Sequence, residues 1–203
     1  LLAELCEKRP SRYVIFALER SGDREAWPAL RQVINRRLIT PHDLHLAGMA
    51  AEALARAGDG EIVPMLRRWL ATDNTDKLRM AIHAAGLLGD NRLVPDLLKV
   101  DANVFGRDDR NRLYRALVSC GDVRYLDKVH QAALDERQYV YESQRESPPD
   151  YCPIYNYSQN WALDAIAKLA SPRSLPVLDQ LSANASDPII RQRAAAIAKT
   201  IRQ

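Results

Sequence analysis

A chain of 203 residues with 47 % hydrophobic and 27 % charged residues is long enough for one folded domain or two small ones and too apolar for wholesale disorder. The 29 basic and 26 acidic residues leave a net charge of +3, too small an excess for the overall field of a nucleic-acid binder. The 3 cysteines are too few for a disulfide scaffold, and the 8 glycines beside abundant Ala, Leu, Ile and Val favour helices.

Residues 1–8, LLAELCEK, have the pattern of the tail of a second helix of a hairpin. A full hairpin is expected over 10–38, around ALERSGDREAWPAL (17–30). Thr40-Pro41-His42-Asp43 then supplies an N-cap, a proline at N1 and an acid at N3. It opens a second hairpin over 41–71, around ALARAGDGEIVPML (53–66). Asn74-Thr75-Asp76 opens a third over 75–101, around AAGLLGDNRLVPDL (84–97), and Asp108-Asp109 a fourth over 108–134, around ALVSCGDVRYLDKV (116–129). Residues 135–157 interrupt the series. Ser158 is expected to cap the helix bearing Trp161, and a fifth hairpin over 158–184 carries AIAKLASPRSLPVL (165–178). Ser186-Asp187-Pro188 opens a partial repeat over 187–203, where AIAKTI echoes the AIAKLA of the fifth.

The five segments align without gaps. A leading Ala (Ala17, Ala53, Ala84, Ala116, Ala165) is followed five residues later by Gly22, Gly58, Gly89, Gly121 or Ala170. Next comes Asp23, Asp59, Asp90, Asp122 or Ser171, then Pro28, Pro64, Pro95, Asp127 or Pro176. Two residues on stands Leu30, Leu66, Leu97, Val129 or Leu178. Each column has a mechanical reason. The Gly ends a helix in the left-handed conformation, and the acid bonds nearby amides to form the turn. The Pro sits in the first helical turn, where its missing N–H costs nothing, and the Leu points into the core. The leading Ala lets helices approach. The glycines lie 36, 31 and 32 residues apart, a period that points to stacked helical hairpins.

This pattern resembles HEAT repeats, most closely the short HEAT-like class first associated with phycobilin lyases, over about residues 10–203. The resemblance implies one all-α domain, a right-handed α-solenoid of antiparallel hairpins, with room for further domains beyond it. It also brings functions to weigh. Deoxyhypusine hydroxylases of this class build a di-iron site from His-Glu pairs, and this chain has no His-Glu dipeptide. Bilin lyases attach or isomerise a tetrapyrrole, and no residue here marks a bilin site. HEAT-like DNA glycosylases use a basic concave face.

From Gly121 to Ala170 is 49 residues, so about 17 extra residues lie between the fourth and fifth hairpins. The insertion 135–157 holds Tyr139, Tyr141, Tyr151, Tyr155 and Tyr157, five of the chain's 8 tyrosines, with Pro148, Pro149, Cys152 and Pro153. Tyrosine provides rigid contact area with a polar tip, so these five are candidate binding residues. A flap lying on its own scaffold is the alternative. Four residues past the proline column, on the second helices, stand Gln32, Arg68, Lys99, Gln131 and Gln180, a polar ladder basic in its middle. Arg68, Lys99 and Gln131 join the candidate binding set.

Tests for chemistry return little. His42 and His45 lie three apart beside Asp43, a partial metal pattern with no third ligand at clear spacing. Cys120 occupies a column otherwise filled by Ala57, Leu88 and Leu169, which predicts burial, and Cys152 has no sequence-local His partner. The expectation is therefore a non-enzymatic protein- or peptide-binding scaffold in the cytoplasm, with no cofactor, metal or catalytic residue. Nucleic-acid binding and a bilin-lyase-like activity are the alternatives. No run of about 18 apolar residues offers a membrane span.

Overall fold

The computed structural model of the chain describes residues 2–36, 40–101, 107–135 and 157–203, and among them every regular element is helical. The chain divides into two compact units, residues 1–123 and 124–203. The first holds α1 (Leu2–Lys8), α2 (Arg12–Ser21), α3 (Trp27–Asn35), α4 (Pro41–Arg56), α5 (Val63–Leu70), α6 (Thr75–Leu88), α7 (Val94–Leu97) and α8 (Arg107–Ser119). The second holds α9 (Leu126–Leu134), α10 (Tyr157–Leu169), α11 (Leu175–Asn184) and α12 (Pro188–Arg202).

The repeated turn folds the same way each time. Gly22, Gly58, Gly89 and Gly121 take φ of 63°, 79°, 71° and 97°, the left-handed region that closes a helix. Ala170 occupies the same place at φ 48° although it carries a Cβ, a cost of about 1–2 kcal/mol that the surrounding fold must offset. The next side chain accepts a hydrogen bond from the backbone N–H two residues on: Asp23 from Glu25, Asp59 from Glu61, Asp90 from Arg92, Ser171 from Arg173. That bond starts one 3-10 turn, and Pro28, Pro64, Pro95 and Pro176 enter the first turn of the helix beyond it.

Helix starts also follow their local chemistry. Thr40 Oγ1 accepts from the Asp43 N–H at 3.1 Å while Asp43 Oδ2 accepts from the Thr40 N–H at 2.9 Å, a reciprocal capping box. Asn74 caps α6 and Asp187 caps α12. Two helices start earlier than expected. α8 begins at Arg107 and α10 at Tyr157, so Ser158 is the second residue of its helix rather than the cap. The third hairpin departs further: α7 is a single turn, continued as far as Val100 by turn hydrogen bonds. Poor helix formers follow at once, with Asp101, Asn103 and Gly106.

Packing pairs the helices differently from the repeated unit. Each second helix packs against the first helix that follows it: α1 on α2, α3 on α4, α5 on α6 and α7 on α8 in the first unit, α9 on α10 and α11 on α12 in the second. The helices on either side of a Gly-Asp turn come together less. First helices also stack in a row, α2 on α4, α4 on α6 and α6 on α8, with α10 on α12 in the other unit. Small residues permit this approach. A Cβ added to Gly86 would lie 3.3 Å from the Ala116 Cα, so α6 and α8 meet nearly backbone to backbone. The Leu column and Val129 are all buried, as the periodicity predicts.

Candidate interaction surface

Two adjacent positions on the second helices divide the work between them. The residue three past the proline column reaches forward to the next hairpin. Arg31 donates Nε to Asp59 Oδ2 at 2.7 Å and Nη2 to Asp59 Oδ1 at 2.9 Å. Asp59 is 2 % exposed, and this bidentate bond raises the Arg31 pKa. Arg67 donates to the Arg92 carbonyl at 2.8 Å and pairs with Asp96 at 3.1 Å. In the second unit His130 Nε2 lies 3.0 Å from Ser174 Oγ, and Asp179 pairs with Arg202 at 2.6 Å. At the third hairpin the position holds Leu98, which is exposed. This column ties hairpins together.

One residue further on, the predicted ladder faces outward. Gln32, Arg68 and Lys99 in the first unit, and Gln131 and Gln180 in the second, are all exposed. Their polar contacts are light. Gln32 donates to Glu7 at 3.3 Å, Arg68 to Asn35 Oδ1 at 3.1 Å, and Lys99 lies 3.5 Å from Asp96. Lys99 stands in the turn after α7 rather than on a helix, while Arg68 and Gln131 stand on α5 and α9.

Tyr139, Tyr141, Tyr151 and Tyr155, with Cys152, lie outside the described residues, and Tyr157 opens α10. What is described is the base of the insertion. Gln159, 1 % exposed, donates Nε2 to the Ala133 carbonyl at 2.7 Å, satisfying the end of α9 from the start of α10. Nothing in the sequence pattern singles out Gln159, because its partner is 26 residues away.

A second polar row escaped the sequence reading. The residue before each leading Ala is Phe16, Glu52, His83, Arg115 and Asp164. Arg115 is 7 % exposed, and the Glu52 and His83 side chains are 32 % and 20 % exposed, with His83 Nε2 3.7 Å from Glu52 Oε1. Burial lowers the His83 pKa to about 4, helped by the guanidinium charges of Arg112, Arg56 and Arg115. Burial also raises the Glu52 pKa, against the pull of Arg56. The signal was a shared register, hidden by five different residue types.

Several arginines are already paired within the fold. Arg56 meets Glu19 at 2.7 Å, Arg79 meets Asp109 at 2.8 Å, Arg92 meets Asp90 at 2.6 Å, and Arg193 pairs with Asp164. Possible chemistry is equally constrained. His130 bridges Ser174 and, at 4.0 Å, Asp127, an outline of a nucleophile, a base and an orienting acid. Ser174 is 0 % exposed, so no substrate reaches it, and the contact is a tie between α9 and the turn before α11. His42 is the second residue of α4, and among the described residues no three metal-ligating side chains converge. Cys6 and Cys120 are buried thiols; burial pushes the Cys6 pKa up, and Cys120 Sγ donates to the Ala85 carbonyl at 3.5 Å. No described helix is long and apolar enough to cross a membrane.

No protein-family model matches this chain, and no curated protein matches it.

Proposed function

We propose that the chain is a HEAT-like right-handed α-solenoid acting as a non-enzymatic protein-binding module, through its exposed second-helix row and the tyrosines of the 135–157 insertion. The observation that carries this reading is the split between neighbouring positions. Residues three past the proline column are engaged in joining hairpins at every repeat but the third, whereas Gln32, Arg68, Lys99, Gln131 and Gln180 are polar and exposed at all five. Side-chain amides both donate and accept, which suits a peptide backbone, and Arg68 and Lys99 suit an acidic segment. Binding strength would rest on a few aromatic and Arg anchors rather than on total area. The solenoid itself is supported by the recurrence of the turn columns in all five hairpins. A cytoplasmic location goes with this reading.

Site-specific photo-crosslinking in cells tests it. A photoreactive residue at Gln32, Arg68 or Gln131 should capture a protein, and one at exposed Lys168, on the first helix α10, should not. Nuclease-sensitive adducts at Arg68 would replace the reading with nucleic-acid binding. Equal capture at Lys168 would remove the claim for the second-helix row.

A further inference from the structure

The arginines of α3 and α5 are of two kinds. Arg31 meets Asp59 and Glu61, and Arg67 meets Asp96, so their charges are compensated where they stand. Elsewhere in the first unit Arg56 reaches Glu19 and Arg79 reaches Asp109. Arg68 also bridges two helices, but to a neutral group: its Nη2 donates to Asn35 Oδ1 at 3.1 Å, from α5 to the last residue of α3. Among the described residues Arg68 forms no ion pair. The dipole of α5 favours a cation in its last turn, yet it does not account for an amide as the partner across the hairpins.

Both ends of that amide are in use. Asn35 Nδ2 donates to the Arg31 carbonyl one turn earlier at 3.0 Å, which leaves Oδ1 to face Arg68. A carboxylate in its place would bind the guanidinium more strongly and cancel its charge. The amide gives position without neutralisation. A guanidinium carries five N–H donors in one plane, and Arg68 is exposed, so one edge is tethered while other donors face water. A side chain already held in place loses less freedom when it binds.

We propose that Asn35 is a positioning residue that presents the uncompensated Arg68 to a side-chain carboxylate of an extended partner segment. The inference rests on the reading of the second-helix row as a binding face. Its argument is charge complementarity. One fixed planar cation matches one carboxylate in shape and in sign. The neighbours in the row set the class of partner. Gln32, one place before, is neutral and suits a peptide backbone, and Lys99, one place after, lies 3.5 Å from Asp96. A single uncompensated cation between these two fits a discrete acidic side chain, whereas a nucleic-acid backbone calls for a run of them.

Fluorescence anisotropy on the intact chain tests the proposal. The probe is a labelled peptide of alternating Glu and Ser with an amidated C-terminus, and its control has Gln for Glu and a free C-terminal carboxylate. The acidic peptide should bind. Arg68→Gln should weaken it by about tenfold, and so should Asn35→Asp, which keeps the arginine and cancels its charge. Asn35→Ala, which frees the arginine, should cost about threefold. Arg36, exposed beside Asn35, controls for general attraction: Arg36→Gln should cost less than about twofold. Circular dichroism melts of all four variants should stay in place. No binding of the acidic peptide, full binding by Asn35→Asp, or equal losses at Arg36 and Arg68 overturns the proposal. Tighter binding of the control peptide assigns Arg68 to a chain terminus instead, and tighter binding of single-stranded oligo-dT assigns it to nucleic acid. Photo-capture of a protein at Gln32 separates the two readings. Capture undiminished by Asn35→Asp sinks this inference alone, and no capture in the unaltered chain sinks the reading beneath it.

Discussion

Two polar rows run through the first unit, and their fates differ. On the first helices, Glu52, His83 and Arg115 are drawn partly or wholly out of water, and the protonation equilibria of Glu52 and His83 bend accordingly. Gln32 and Arg68 on the second helices, and Lys99 in the turn after α7, remain exposed and lightly bonded. The lesson is that repeated polarity does not mark a binding face by itself. A polar side chain held between stacked helices answers to stability, whereas one that points outward is available to a partner.

Substitution separates the two rows. Arg115→Ala should give the largest effect, about 3 kcal/mol off the unfolding free energy, since it removes a charge and an aliphatic stem that are almost fully buried. Urea denaturation measures it, and a loss under about 1 kcal/mol would place Arg115 with the exposed row.

The next effect depends on pH. His83 binds its proton near pH 6.5 when unfolded and near 4 when folded, so its neutral form is favoured by folding. Its contribution is complete above pH 6.5 and is lost as the pH falls toward 4. Glu52 runs the other way: its raised pKa favours the protonated acid, so it weakens the fold as pH rises above the ordinary carboxylate range. His83→Gln should therefore flatten the loss of stability between pH 6.5 and 4, and Glu52→Gln should steepen it. Identical slopes in both variants would show that neither group is held in the described environment.

Charge reversal in the exposed row comes third. Arg68→Glu with Lys99→Glu should change stability by no more than about 0.5 kcal/mol and abolish capture of the protein partner. A clear fall in melting temperature would merge the two rows. The smallest effect on stability is expected from Tyr139, Tyr141, Tyr155 and Tyr157 replaced by Ala: binding weakens while helicity and melting hold. A sharp drop in melting with binding intact would make the insertion a structural flap.

Much of the local structure was legible beforehand because its causes are local. Gly22, Gly58, Gly89 and Gly121 stop helices by their own conformational freedom, and Thr40 with Asp43 closes a capping box within four residues. The ladder of Gln32, Arg68, Lys99, Gln131 and Gln180 was likewise found by counting, and all five are exposed. The neighbouring column was not recognised as a set of ties. Arg31 meets Asp59 across 28 residues and His130 meets Ser174 across 44, distances over which sequence pattern gives no partner.

Local sequence set most of the helix starts and stops, the form of the turn between them, and the register in which the unit recurs. Each depends on residues within a turn or two of one another, so backbone sterics and short hydrogen bonds suffice. Tertiary structure decided which helices pair, α3 with α4 rather than with α2, and which of two polar rows is buried. It also decided that Ala170 takes the glycine conformation, and that Gln159 closes the base of the insertion. Those outcomes depend on the packing of side chains distant in sequence, where the environment, rather than the residue's own preference, sets the free energy.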